Sequence, residues 1–292
     1  MIKIVLPFIV FFVIVSCQST TKKHSKSNGQ AQGKVKKKEM TPFKNTDNAL
    51  RDFDKRNISK TRTTAEGITI KWFQETFKKN PNLKAGEVYL INYRVSMPDG
   101  KIFDGNNRLG LPFIPFMVGY NMQFSGWDIA MKQLKVGDFA KIEIPSELAY
   151  GTKGLSNIVP ANTPIWVYVK VVAKVSPGTN QGGVKSWTFD KGESTSFDGL
   201  ENKEIIYHCI ASSKSHTNVL NSYTRHLPFR YAVGQKNVVP GLRKVLKNAK
   251  KGQKIFVLLS PEQAYGSSGF GDLVGPNESI FYNLTIEDIK EL

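Results

Sequence analysis

The sequence has few cysteines, few histidines and no apolar run long enough to cross a bilayer. Among its 292 residues are two cysteines, Cys17 and Cys209, and four histidines. His208, His216 and His226 lie within about twenty residues of one another, but their spacing lacks the compact ligand pair and the carboxylates of a metal site. The sequence therefore predicts no bound metal.

Basic residues outnumber acidic ones: the sequence has 41 Lys and Arg and 24 Asp and Glu, which gives a formal net charge of +17. About seven of these positive charges fall in residues 18–45, among Ser, Thr, Gln and Gly. Such a segment buries too little apolar surface to offset its ordering entropy, so it predicts a disordered tether whose lysines favour anionic headgroups. Aromatic residues do not interleave with the basic ones as on base-reading surfaces, so we expect no nucleic-acid partner.

The N-terminus has the pattern of an export signal. Lys3 precedes an apolar run over 4–15, which is too short to span a bilayer and is typical of a signal-peptide core. Ser16 and Cys17 follow it as in a bacterial lipobox, whose cysteine becomes the lipidated N-terminus of the mature protein. We therefore predict a signal peptide over 1–16, a lipid bilayer contact through Cys17, and a tether over 17–64. An ordinary signal cut after a small residue is the alternative.

These features predict a lipid-anchored protein of the bacterial cell envelope that faces the periplasm. With Cys17 lipidated, Cys209 has no disulfide partner within the chain, so the fold depends on packing alone. Cys209 lies in the apolar pattern 205–210, which indicates a small buried strand residue rather than a reactive thiol.

A stretch of the chain occurs twice, 115 positions apart and without a gap. Such self-similarity indicates a duplicated domain, and the chain is long enough for two domains with their own cores. We predict a first domain over 65–176, a linker over 177–184 and a second domain over 185–292. The repeated residues include Gly119, Gly126, Gly137, Tyr150, Gly154 and Asn162, which recur as Gly234, Gly241, Gly252, Tyr265, Gly269 and Asn277.

Both copies contain segments with the two-residue apolar period of β-strands. In the first copy these are 88–95, 101–103, 139–144 and 165–171, with Pro98, Asp99 and Gly100 predicting a turn after the first. The second copy repeats the pattern at 205–210, 255–259 and 280–286.

Between these strands, the apolar spacing changes to that of a helix. Trp127, Ala130, Met131 and Leu134 share one face, which predicts about three turns from Gly126, closed by Gly137. The same face recurs in the second copy. The predicted fold class is therefore α+β, with two domains that are each an antiparallel β-sheet wrapped around one short α-helix.

Several short motifs follow each other in a specific order in the first copy. Asp99 and Gly100 precede Phe103 and Asp104, and the later motifs are Gly126-Trp127, Ala149-Tyr150-Gly151 and Ile158-Val159-Pro160. In this order they resemble the "DGxxFD", "GW", "AYG" and proline-ended loop motifs of the FKBP-type peptidyl-prolyl cis/trans isomerases. With the second copy, the resemblance covers about Gly67 to Leu292 and implies tandem FKBP-like domains.

The resemblance implies a pocket for a prolyl ring in the first domain. Isomerising an Xaa-Pro bond requires a twisted amide to be stabilised and needs no nucleophile, metal or cofactor. Asp104 and Tyr150 are the predicted catalytic residues, with Asp104 at the pocket edge and the Tyr150 hydroxyl on the substrate backbone. The predicted substrate-binding residues are Tyr93, Phe103, Phe116, Phe124, Trp127, Val159 and Val167.

The first copy departs from the family pattern at two positions, because Gln123 stands where the family has an apolar residue and Val167 where it has Phe. Both changes loosen or polarise the pocket, which reduces the expected rate and the expected affinity for macrolides. Phe113 and Ile114 compete for assignment to one wall of the pocket.

The second copy has lost the residues that the resemblance marks as catalytic. Leu242 replaces Trp127, Val219 and Leu220 fall where Phe103 and Asp104 stand, and Cys209 falls near the position of Tyr93. We predict little isomerase activity there, with the copy binding extended or proline-containing chains or packing against the first; activity in both copies is the alternative. An apolar cleft remains, formed by Phe229, Tyr231, Val238, Val239, Tyr265, Val274 and Tyr282.

The sequence predicts a membrane-anchored peptidyl-prolyl isomerase that assists the folding of exported or unfolded proteins with Xaa-Pro bonds. The alternative is a catalytically weak FKBP-like chaperone or assembly module. The resemblance extends to lipoprotein isomerases of gliding-motility systems, which would favour that second interpretation.

Overall fold

A computed structural model describes residues 56–76, 79–107, 111–193 and 199–292. The predicted signal peptide, Cys17 and most of the predicted tether lie outside the described residues. Within the described ranges, none of the helices has the length and apolar character needed to cross a membrane.

The first domain is built on an antiparallel sheet, in which seven strands are described. From edge to edge their order is β1-β2-β6-β7-β3-β4, and β5 also pairs with β3. The strands are β1 (Lys60–Thr63), β2 (Thr69–Gln74), β3 (Val88–Ser96), β4 (Ile102–Gly105), β5 (Ile114–Met117), β6 (Phe139–Ile144) and β7 (Ile165–Val175).

The predicted alternation sets the faces of this sheet. In β6, Ala140, Ile142 and Ile144 are buried in the core, while Lys141 and Glu143 between them are half-buried on the other face. The same alternation in β3 and β7 gives one continuous core that includes Tyr93 and Val167. The turn predicted before β4 is present, because the N–H of Gly100 donates to the carbonyl of Met97 at 3.0 Å.

Helix α1 (Ser125–Met131) packs on the core face of this sheet and is shorter than predicted. It has about two turns rather than three, because Gln133 and Leu134 donate to the carbonyls three residues earlier and continue the chain as tight turns. Leu134 is still fully buried, so the apolar spacing runs on past the end of the helix.

The helix can approach the sheet closely because Gly126 has no side chain. A Cβ atom at this position would lie 2.4 Å from the Ile144 side chain and 2.9 Å from the Leu148 carbonyl oxygen. Gly241 in the second domain has the same constraint, with Leu259 at 2.5 Å. Both glycines therefore set the distance between helix and sheet.

The second domain repeats this architecture, again with seven described strands, in the order β11-β10-β14-β13-β9-β8 with β12 beside β10. Its helix α2 (Pro240–Leu246) corresponds to α1. The strands are β8 (Thr179–Gln181), β9 (Val184–Asp190), β10 (Lys203–Ser213), β11 (Leu220–Asn221), β12 (Phe229–Ala232), β13 (Lys254–Leu259) and β14 (Ile280–Glu291).

The segment predicted as a linker over 177–184 is instead part of the second sheet. Strands β8 and β9 form a hairpin there, and its turn contains Gly182 and Gly183, both with positive φ. Polar residues followed by two glycines suit a tight hairpin turn as well as a linker, so composition alone did not distinguish them. The first domain likewise begins before residue 65, because β1 pairs with β2.

The two domains contact each other through the outer face of the second sheet. Apolar side chains from both domains form one buried cluster: Val88, Met117 and Tyr120 with Trp187, Phe256, Leu258 and Phe281. Packing of the second copy against the first is one of the arrangements that the sequence predicts for it.

Candidate functional site

An aromatic cluster on the core side of the first sheet surrounds Trp127 of α1. The ring centroid of Trp127 lies 5.2 Å from Tyr93, 5.3 Å from Phe116 and 5.7 Å from Phe124. Tyr150 extends the cluster, at 5.4 Å from Phe124. These separations are in the range of favourable aromatic pairs.

The other predicted lining residues join the same cluster. Phe103 in β4 lies 6.3 Å from Tyr150 in an edge-to-face arrangement. Val159 and Val167 are buried in the same core. Of the two competing wall residues, Ile114 packs against the core in β5, and Phe113 is half-buried outside this cluster. The structure thus brings all seven predicted lining residues together.

Asp104 is held at the edge of this cluster by two hydrogen bonds. Its Oδ2 accepts from the Tyr93 hydroxyl at 3.1 Å, and its Oδ1 accepts from the Gly105 N–H at 2.8 Å. Burial raises the pKa of Asp104 above its ordinary value, and the two hydrogen bonds oppose that rise. The carboxylate is therefore oriented but poorly solvated.

The two tyrosines next to Asp104 are kept protonated. Burial raises the pKa of Tyr93, and the charge of Asp104 raises it further. Burial and Asp104 act in the same direction on the pKa of Tyr150. The Tyr93 hydroxyl donates its hydrogen bond to Asp104. The Tyr150 hydroxyl has no hydrogen bond to another described residue, so it can donate to a bound molecule.

The Trp127 indole offers a second donor. Its Nε1 is buried and has no hydrogen-bond partner among the described residues. An unpaired buried N–H carries a desolvation cost, so such groups call for a structural or functional explanation. In this position the indole forms an apolar floor with one polar edge.

A groove of about 600 Å³ lies beside the aromatic cluster. It runs between the β3–β4 turn and the loop after Tyr150, and Val159 belongs both to it and to the core around the cluster. Its lining residues are Met97, Pro98, Asp99, Lys101, Asn157, Ile158, Val159, Pro160 and Thr163. The groove gives room for an extended chain beside the aromatic cluster.

The residue that sequence reasoning missed is Asn106. Its Oδ1 accepts from the Tyr93 N–H at 2.8 Å, and its Nδ2 donates to the carbonyls of Ile91 and Pro112 at 3.2 and 2.9 Å. It therefore fixes the end of β4 against β3 and sets the position of Asp104. Its place two residues after Asp104 was the only signal in the sequence.

The strand register of the second copy gives the equivalent positions that the sequence predicted. Val95 pairs with both Asp104 and Val167, while Ala211 pairs with both Leu220 and Tyr282. Leu220 therefore occupies the position of Asp104. By the same register Cys209 takes the place of Tyr93. Cys209 pairs with Leu284, and Tyr93 pairs with Val169, which lies 115 positions before Leu284.

The whole chain was then compared with known proteins. The sequence profile described as "FKBP-type peptidyl-prolyl cis-trans isomerase" matches residues 79–172 and 200–287, which together are more than half of the chain. The chain belongs to the FKBP-type peptidyl-prolyl cis-trans isomerase family. Each of the two domains gives one match, so this is a tandem FKBP protein.

Curated relatives agree with this assignment. Human peptidyl-prolyl cis-trans isomerase FKBP10 is 25% identical over 203 residues, which cover 70% of this chain and 34% of FKBP10. FK506-binding protein 4 of Aspergillus fumigatus is 40% identical over 94 residues, 32% of this chain and 19% of that protein. The chain thus spans about a third of the length of FKBP10.

Among solved structures, the three FKBP domains of wheat FKBP73 share 20% identity with this chain at a TM-score of 0.37, covering 79% of this chain and 99% of that one. A peptidyl-prolyl cis-trans isomerase from Pseudomonas syringae shares 25% identity at a TM-score of 0.35, covering 40% and 81%.

The second FKBP domain has a larger side chain at one position of the cluster. Tyr282 stands where the first domain has Val167, and it is fully buried. Burial raises the pKa of Tyr282, and the adjacent hydroxyl of Tyr265 contributes to the rise. Of the seven predicted cleft residues, Tyr231, Val274 and Tyr282 are buried in the core of this domain. The other four, Phe229, Val238, Val239 and Tyr265, are partly buried and pack against it.

The surroundings of Cys209 and His208 indicate structural roles in this domain. Cys209 is buried in β10, and burial raises the pKa of its thiol to about 12. His208 Nδ1 lies 2.9 Å from the Ser222 Oγ, and its ring stacks on Tyr223. Within the described ranges, no group of three or more His, Cys, Asp and Glu side chains is placed to hold a metal ion.

Proposed function

We propose that this FKBP-family protein is a peptidyl-prolyl cis/trans isomerase acting on Xaa-Pro bonds of polypeptide clients, with catalysis in the first domain. The observation that carries the proposal is the Tyr93–Asp104 hydrogen bond at the edge of the Trp127 cluster, beside Tyr150. The second domain keeps the fold and lacks this pair.

The chemistry follows from the nature of the barrier. Rotation about an Xaa-Pro bond loses amide resonance, which costs about 18–20 kcal/mol. The planar amide is more polar than the twisted one, so an apolar site that excludes water favours the twisted state. Lowering the barrier by about 5.5 kcal/mol accelerates rotation by about four orders of magnitude.

Each residue has a distinct role in this proposal. Trp127, Phe116 and Phe124 bury the prolyl ring. The Tyr150 hydroxyl donates to a carbonyl of the bound chain and holds it in place. Asp104, oriented by Tyr93, stabilises the carbonyl carbon as it loses resonance with the nitrogen.

The tether and anchor are proposed on the sequence alone. Cys17 carries lipid, and the basic segment after it holds the two domains away from the membrane of a bacterial envelope, on the periplasmic side. The clients are then exported proteins that fold there. Labelling with a radioactive fatty acid and membrane fractionation of the wild type and Cys17→Ser test this part; an unlabelled, soluble wild type contradicts it.

A second role is favoured by an exposed apolar loop in the second domain. Phe270 and Leu273 are each 42% exposed, and Phe270 stacks on Tyr265 at 4.8 Å. These side chains suit the capture of an extended apolar segment of a client, without isomerisation. Suppression of aggregation by the wild type, and its loss in Phe270→Ala, would support this role.

The activity itself is tested with the full chain on a panel of Xaa-Pro peptides, by exchange spectroscopy or a protease-coupled assay. We expect acceleration over the uncatalysed rate, strongest where the residue before proline is apolar. Tyr150→Phe should reduce kcat/KM about fivefold, as for one lost hydrogen bond. No acceleration by correctly folded protein would reject the isomerase proposal and leave client binding as the function.

A further inference from the structure

We propose that the second domain positions the pocket wall of the first, with Asn121 and Ser212 as positioning residues. The proposal rests on the function proposed above and concerns the segment Gly119–Phe124, which connects β5 to α1. Tyr120 and Asn121 in this segment touch the second domain, and its last residue carries the Phe124 ring.

Polar contacts tie the middle of this segment to the second domain. Ser212 Oγ, fully buried at the end of β10, donates to the Tyr120 carbonyl at 2.6 Å. Asn121 Nδ2 donates to the carbonyls of Ser213 and Lys214 at 3.3 and 2.8 Å. These bonds join residues more than 90 positions apart, so they form only when the domains are docked.

Apolar packing and an indole hydrogen bond support the same contact. The Tyr120 ring lies in the buried interdomain cluster, which includes Phe256 and Phe281 from the second sheet. The Trp187 Nε1 donates to the Val175 carbonyl at 3.0 Å. The contact therefore combines a buried apolar core with directional bonds, which favours one docked geometry.

The outer face of the second sheet is specialised for this docking. Its residues Phe256, Leu258 and Phe281 occupy the register positions that Lys141, Glu143 and Trp166 hold in the first sheet. In the first sheet Lys141 and Glu143 form an ion pair at 3.0 Å. The duplication thus has an outer face of ion-paired and aromatic side chains in one copy and an apolar outer face, covered by the other domain, in the second.

The segment also connects directly to the pocket. Asp128 in the first turn of α1 accepts from the Gly119 N–H at 2.6 Å, and the Asn121 backbone also hydrogen bonds to this carboxylate. Three residues after Asn121, the Phe124 ring contacts both Trp127 and Tyr150. A shift at Asn121 therefore moves a wall of the prolyl pocket while leaving Asp104 and Tyr93 in place.

The test uses Asn121→Ala and Ser212→Ala in the full chain, with Asn248→Ala as a control at an exposed position of the second domain. We expect the first two to reduce kcat/KM about fivefold, mainly through a higher KM, at temperatures where the protein is folded. Asn248→Ala should leave kcat/KM for a short peptide unchanged. Equal values for wild type, Asn121→Ala and Ser212→Ala would overturn the proposal.

A double-mutant cycle separates positioning from general loss of stability. If Ser212 acts through the Phe124 wall, Ser212→Ala should cause little further loss in a Phe124→Ala background. Losses that add fully in the double variant would overturn the proposal.

If the wild type shows no isomerase activity, the proposed function fails, and hydrogen exchange tests the positioning claim instead. Ser212→Ala should then speed hydrogen exchange of backbone amides over 122–127 without changing exchange in β6. Unchanged exchange over 122–127 would contradict the claim.

Discussion

The Tyr93 hydroxyl donates a 3.1 Å hydrogen bond to Asp104, and the register-equivalent pair in the second domain is Cys209 and Leu220. One domain thus holds an oriented, half-buried carboxylate, and the other has replaced both members with groups that cannot make this bond. The duplication provides an internal control, because both domains place these residues on the same kind of sheet, beside one short helix.

Tyr93→Phe should raise the pKa of Asp104 further. Burial already raises this pKa, and the Tyr93 hydroxyl is one of the groups that lowers it. Carboxyl ¹³C shifts followed through a pH titration measure the change. Tyr150→Phe serves as the control, since Tyr150 does not hydrogen bond to Asp104, and should leave the titration in place. A lower Asp104 pKa in Tyr93→Phe would show that the hydroxyl does not stabilise the carboxylate.

Asp104→Asn should become more stable relative to the wild type as pH rises. The wild-type carboxyl has a higher pKa folded than unfolded, so its ionisation costs stability above its ordinary value of 3.8. The difference in free energy of unfolding should therefore grow from pH 3 through the raised folded pKa and then stay level. Urea unfolding at a series of pH values measures it.

Glu143→Gln gives the control of opposite sign. Despite partial burial, hydrogen bonds from Lys71 and Lys141 lower the pKa of Glu143 below its ordinary value of 4.5. Its ionisation stabilises the fold above that value and is lost as pH falls, so the glutamine variant should lose stability relative to the wild type as pH rises. The same trend in both variants would contradict the assigned shifts.

Gly126→Ala should destabilise the first domain and disturb the pocket floor. The new Cβ would meet the Ile144 side chain and the Leu148 carbonyl, and relief of such overpacking costs about 1–3 kcal/mol. Calorimetry and isomerisation rates should both respond. The matched variant Gly241→Ala should destabilise the second domain by a similar amount and reduce the isomerisation rate less. Equal loss of activity in both variants would contradict a role of α1 in positioning the pocket floor.

Cys209 should be inert towards alkylation in the folded protein. Burial raises the pKa of its thiol to about 12, so at pH 8 there is almost no thiolate. In Cys17→Ser, which removes the only other cysteine, iodoacetamide should modify the chain only as denaturant unfolds it. Rapid modification of native protein would contradict the buried position.

The sequence predicted seven of the fourteen described strands and the register of Leu220, because these follow from alternation and from the repeat. The seven residues that it named for the pocket lie in one cluster. It did not predict the length of α1, since Leu134 keeps the helical spacing while lying in a turn. The β8–β9 hairpin was missed for a similar reason, because its polar and glycine residues are equally typical of a linker. Asn106 was missed because its role depends on a contact with Tyr93 thirteen residues away.

The docking face left a signal in the sequence that was not used. Residues 254–259 read Lys-Ile-Phe-Val-Leu-Leu, an apolar run without the alternation of Phe-Ala-Lys-Ile-Glu-Ile at 139–144. Continuous apolar strands are buried on both faces. The run therefore indicated a covered second sheet, but only the structure shows that the first domain covers it.

The most direct test of the account compares Asp104→Ala and Leu220→Ala in the full chain, on one Xaa-Pro peptide, with fold and concentration matched. The two substitutions truncate register-equivalent residues of the two domains. We predict that kcat/KM falls about 10- to 100-fold in Asp104→Ala and stays within about twofold of the wild type in Leu220→Ala. An unchanged rate in Asp104→Ala, or an equal loss in both, would contradict catalysis by the first domain alone.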